Sequence, residues 1–164
     1  MVSKASSKST SANTSEENTA LKSKKQPPDN PEGSHQILRE GKARKLSPKS
    51  TNYVFYEIDR EPNEGELYVR LVTNEGGGLH SKEWIKLTDV LDVLSTQEGK
   101  PFKSSVLRTL FSSTSANNAG FLAACLRDME LTIQSEKSVF LQVLAPDFHK
   151  HRDELLALSQ QDSE

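Results

Sequence analysis

From Tyr53 onward apolar residues recur every two to four positions, whereas before it they are nearly confined to Val2, Leu21, Ile37, Leu38 and Leu46. Residues 53–58 alternate with aromatic and β-branched side chains and predict a strand that puts Tyr53, Phe55 and Glu57 on one face. A polar turn runs to Gly65. Residues 66–73 then set Leu67, Val69 and Leu71 against Tyr68, Arg70 and Val72, the second arm of a hairpin. After the glycine-rich turn Gly76-Gly77-Gly78, residues 80–87 read as a third strand with Trp84 opposite Ile85. Three strands with one apolar face need a cover.

The cover is helical. Thr88 is the expected N-cap of a helix that carries Val90, Leu91, Val93 and Leu94 and ends before Gly99. Pro101 suits a helix start, and Phe102, Val106, Leu107, Leu110 and Phe111 give a second helix over 101–112. The run Ser112-Ser113-Thr114-Ser115 interrupts it. A third helix spans 117–129, with Phe121, Leu122, Cys125, Leu126 and Met129 on one face. Residues 131–134 and 139–144 flank a polar tip at 135–138, a second hairpin, and Asp147 heads a last amphipathic helix. Strands grouped before helices predict an α+β domain and argue against a parallel, alternating sheet.

Composition sharpens the boundary. Residues 1–50 hold ten Lys and Arg against five Asp and Glu, and residues 51–164 hold eleven against eighteen. The first 34 residues are dominated by Ser, Thr, Lys, Asn, Glu and Pro, too little apolar surface to offset chain entropy. The expectation is a disordered basic tail over residues 1–50 and a single α+β domain over 51–160. Within the tail, residues 35–46 stand apart. Ile37 and Leu38 suit docking on the domain, and Lys42, Arg44 and Lys45 form a basic cluster, so the segment is either a docking strand or a partner-binding arm. One cysteine, no run of about 18 apolar residues and no hydrophobic leader at the N-terminus point to a cytoplasmic protein without a membrane partner.

The order helix, helix, short Ser/Thr break, helix, hairpin over residues 88–144 resembles the winged-helix variant of helix-turn-helix. That resemblance implies a winged-helix-like helical half, a supporting helix at 101–112, a recognition helix at 117–129 and a wing tip at Ser135 to Ser138. It implies nucleic acid as the partner, with Lys103, Arg108, Asn117, Asn118 and Lys137 as contact residues in this unit, and the basic tail adds Lys42, Arg44 and Lys45. Asn side chains and free helix N–H groups suit phosphates and base edges. Against DNA stands the charge. A DNA reader displays a basic stripe, and this helix carries one Arg and one Asp among apolar residues. The alternative is a protein-protein interaction adaptor using the same half, with Ala119, Gly120, Ala123 and Ala124 admitting a partner helix. Close packing within the domain explains the same small residues.

Catalytic chemistry is sparse, and the expectation is a non-catalytic protein with no cofactor and no metal. His149 and His151 at i, i+2 diverge on a helix, Cys125 lies on an apolar face, and the triple glycine lacks the Lys-Ser/Thr ending of a phosphate loop. Trp84, the single tryptophan, suits stacking on a base or a proline, and equally an anchoring role against a helix.

Overall fold

The computed structural model describes His35–Gln160. A four-stranded antiparallel sheet has the order β1 (Gln36–Arg44), β2 (Tyr53–Arg60), β3 (Leu67–Asn74), β4 (Ile85–Lys86). Helix α1 (Leu87–Ser95) follows directly, then a 3-10 helix (Ser104–Leu110) and helix α2 (Asn118–Asp128). A two-stranded hairpin, β5 (Thr132–Ser135) and β6 (Ser138–Leu144), precedes helix α3 (Phe148–Leu156) and a closing 3-10 turn (Ala157–Gln160). The architecture is α+β, as the sequence predicts. None of the described helices is long and apolar enough to cross a membrane.

One correction concerns where the domain begins. Gln36–Arg44 is a strand paired along its length with β2, and Ala43 opposite Val54 is fully buried, so the folded unit starts near residue 35 and not at 51. The docking-strand reading of residues 35–46 is the one realised. The remainder of the expected tail, residues 1–34, lies outside the described residues.

Alternation explains the sheet. Val54, Tyr56 and Ile58 of β2 join Leu67, Val69 and Leu71 of β3 and Ala43 of β1 in one core with α1 and α2. Helix α2 lies across β1 and β2, and α1 against β3 and β4. The helix contributes Ala119, Phe121, Leu122, Ala123, Ala124, Cys125 and Leu126 to this interior, so its small residues serve packing within the domain. At its end Glu130 takes the left-handed backbone conformation, φ 68°, that closes helices.

Three local expectations differ. The third strand is only two residues long, because the backbone at 79–81 bonds to the start of α2 instead of β3. The helix expected at 101–112 is a seven-residue 3-10 helix, and Phe102 leaves it to pair with Gln142 of β6 through two hydrogen bonds of 2.8 Å. Thr88 lies inside α1, and neither it nor Asp147 supplies a side-chain cap.

Gly41 marks a close approach. The Tyr56 ring lies over it, so that a β-carbon at position 41 falls 2.1 Å from the ring, and the Tyr56 hydroxyl donates to Asp128 Oδ2 at 2.6 Å. This bond ties the middle of β2 to the last turn of α2. Gly41→Ala should therefore displace the ring and lower the unfolding free energy in urea by about 1–3 kcal/mol. Tyr56→Phe, which keeps the packing and loses the bond, should cost about 1 kcal/mol.

Candidate binding faces

The first turn of α2 is the place where the sequence predicts an open polar site. Asn118 is buried there, and its amide is fully engaged by its own chain. Its Oδ1 accepts from the Ser81 backbone N–H at 2.8 Å, and its Nδ2 donates to Ser113 Oγ at 3.2 Å and to the Ser113 carbonyl at 3.4 Å. Asn117 is half-buried and donates from Nδ2 to the Leu79 carbonyl at 2.9 Å, an acceptor that Ser115 Oγ also reaches at 2.8 Å. The two asparagines are clasps holding the 79–81 segment on the helix, which corrects the expectation that they face a ligand. An asparagine-rich helix start is as good a match for a neighbouring loop as for a phosphate, and the sequence alone does not separate the two.

The basic residues fall into three groups. Lys45 is committed internally, donating to Asn74 Oδ1 at 2.9 Å and to the Glu75 carbonyl, with its ammonium 4.8 Å from the Phe121 ring centre. Lys42 and Arg44 project from β1, the first over the Tyr53 ring at 4.4 Å and the second toward the Ser50 carbonyl at 3.2 Å. They belong to a strand, where charged side chains also discourage further strand pairing. Lys103, Arg108 and Lys137 are exposed and have no side-chain partner among the described residues. Arg108 and Asn118 line one surface cleft of about 390 Å³ with Phe111, Ser113, Thr114 and Ser115.

A polar cluster that the sequence reading passed over occupies the sheet face away from α2. Glu57 and Asp59, two apart on β2, share that face, and both are buried. Arg70, opposite Glu57 on β3, donates to Glu57 Oε2 at 2.6 Å and stacks on Trp84 at 4.2 Å. His35 covers Trp84 in turn, ring centres 3.9 Å apart and planes 25° from parallel. Burial lowers the His35 imidazole below its usual range and is the main reason Asp59 is pushed up to about 8, the Glu57 charge adding to it. The signal was present in the strand pattern: Glu57 and Asp59 alternate with core residues, one across from Arg70. Trp84 anchors this sheet face and not a helix.

The hairpin β5–β6 presents a different surface. Ile133, Val139 and Phe140 are exposed, Phe140 to 76%. Its frame is fixed from below: the Phe102–Gln142 pairing holds β6, Arg127 donates to Gln142 Oε1 at 2.6 Å, and the Ala145 N–H donates to the Leu131 carbonyl at 3.0 Å.

For chemistry, Cys125 is fully buried and burial pushes its thiol well above the usual range. His149 lies 3.8 Å from Glu98, and His151 lies 3.2 Å from Glu130 and 3.3 Å from Glu154. No group of three or more His, Cys, Asp and Glu among the described residues is placed to hold a metal ion. Comparison with protein-family models, with curated proteins and with solved structures found no match to this chain.

Asn118→Ala removes the only donors and acceptor that the helix start offers to Ser81 and Ser113. It strands a buried N–H and should lower stability by about 1–3 kcal/mol. Chemical denaturation checks the value, and proteolysis at residues 79–84 should accelerate in step.

Proposed function

We propose that this chain is a non-catalytic binding module that docks a protein partner on its β5–β6 hairpin, the wing of a winged-helix-like half. The observation that carries this reading is the placement of apolar surface. Of the five large apolar side chains exposed among the described residues, Ile133, Val139 and Phe140 share one small hairpin. Exposed apolar groups scattered singly are ordinary, whereas a cluster on a braced element favours contact with another protein. The succession α1, 3-10 helix, α2, hairpin supports the winged-helix-like comparison, with the 3-10 helix in place of a full supporting helix.

Charge favours protein over nucleic acid. The hairpin tip carries Glu136 beside Lys137, and the asparagines intended for bases are bonded within the chain. Phosphate contacts supply most of the affinity of a DNA reader, and they need a row of free cations. Of the expected contact cations, Lys103, Arg108 and Lys137 are those in the helical half.

The test starts from capture of a partner by the full chain in the presence of nuclease, followed by titration of the purified pair. Val139→Ser with Phe140→Ser should keep the far-ultraviolet circular dichroism spectrum. It should cost about 2 kcal/mol or more of binding, roughly thirtyfold in Kd, the scale for removing a buried aromatic anchor. Duplex DNA retained at low salt, lost with Lys103→Glu and Arg108→Glu and indifferent to the hairpin changes, would overturn the reading.

A further inference from the structure

Glu40, Glu57 and Asp59 lie near one guanidinium, Arg70, which pairs with Glu57. Across the strands, Glu40 of β1 stands opposite Glu57 of β2, which stands opposite Arg70 of β3; one step along, Asp59 lies between Ile37 of β1 and Tyr68 of β3. Arg70 is spent on Glu57. Asp59 is fully buried, and no N–H or O–H of the described residues reaches either of its oxygens. Its neighbour on that face is a second acceptor, the Glu57 carboxylate, two residues along the same strand. Two carboxylates side by side repel unless a proton sits between them. The other titratable groups near it are His35, stacked on Trp84 with the Glu61 charge close by, and the Tyr68 phenol, which burial pushes up.

Beside Asp59 the sheet is irregular. The β1–β2 pairing shifts between Ile37 and Arg39, with Leu38 unmatched. Beyond this bulge the strand end keeps the Gln36–Arg60 and Ile37–Asp59 pairing, the bond from Arg60 Nη2 to Gln36 Oε1 at 2.8 Å and the His35–Trp84 stack.

We propose that Glu57 and Asp59 form a proton-operated latch for the N-terminal end of β1. With one proton shared between them the strand end lies closed over Asp59. When that proton leaves, two carboxylates face one Arg70 in a space without water, and the end of β1 lifts at the bulge to hydrate them. Lifting carries His35 away from Trp84 and uncovers the Trp84 and Tyr68 rings as a contact surface. The sign follows from burial. Asp59 binds its proton more tightly folded than unfolded, so the closed state is favoured at acid pH and progressively lost as pH rises toward 8. The His35 titration lies below the ordinary imidazole range and is separate from this step. The latch stands independently of the hairpin reading.

The sole tryptophan reports on it directly. The full chain should show one change in Trp84 emission with a midpoint near pH 8, accompanied by lost hydrogen-exchange protection at residues 36–39 after correction for intrinsic exchange rates. Asp59→Asn should abolish both changes. Should that variant not fold, Glu57→Gln serves: removing the neighbouring charge should move the midpoint down by a pH unit or more. Emission and protection that stay constant from pH 6 to 9.5 in the wild type overturn the latch. So does a transition that persists in Asp59→Asn, or a midpoint that Glu57→Gln leaves in place.

Discussion

Helix α2 has almost no face left for solvent, since every residue from Asn118 to Leu126 except Gly120 is buried, and the rest of the domain is arranged to meet that demand. The sheet supplies one wall through Val54, Tyr56 and Ile58. The 3-10 helix supplies another through Leu107, and the 79–81 segment closes the polar end through Asn118. Burying apolar side chains of this size yields roughly 1.5–3 kcal/mol each before entropy is counted. That gain holds only while the polar side chains buried with the helix keep their partners. Asn117, Asn118 and Ser115 provide the clasp. The polar sequence that looks like a ligand site is the condition for burying the apolar one.

The parts of the fold that were legible in the sequence are those where one period dominates. Alternation in residues 53–58 and 66–73 yields β2 and β3, and the 3.6-residue spacing yields α1 and α2. The failures have physical causes. Residues 35–46 contain three large aliphatic residues and four Lys and Arg, a composition that fits a free arm, yet β1 needs only Ala43 and the gap at Gly41 to seat against Val54 and Tyr56. The segment 80–84 has strand-like residues but bonds locally, and through the Ser81 N–H to Asn118 of α2. Of the eight residues named as contacts, Arg44, Lys45, Asn117 and Asn118 are bonded within the chain. Local sequence does not reveal whether a polar group meets water, a ligand or another loop.

The two faces described here obey different physics. The hairpin exposes Ile133, Val139 and Phe140 on a braced frame. The cluster around Asp59 is polar, incompletely satisfied, and sensitive to a single proton. Buried polar groups without partners are costly and uncommon in folded proteins, and here Asp59, Arg70 Nε and His35 Nδ1 collect on one sheet face. Such a concentration sits poorly with a purely architectural role for that face, because well-packed apolar residues would serve stability better.

The topology also sets an order of events at the ribosome. β1 and β2 emerge early and are neighbours in sequence, but the helix that roofs them is some 75 residues downstream. Until Leu126 has been made, the inner surface of the sheet, with Val54, Tyr56 and Ile58, has no lid. A nascent chain halted before Asn118 therefore displays a bare greasy sheet, the kind of surface that chaperones bind and that aggregates in their absence. Closure of this domain, by its wiring, waits until residues 118–128 have emerged.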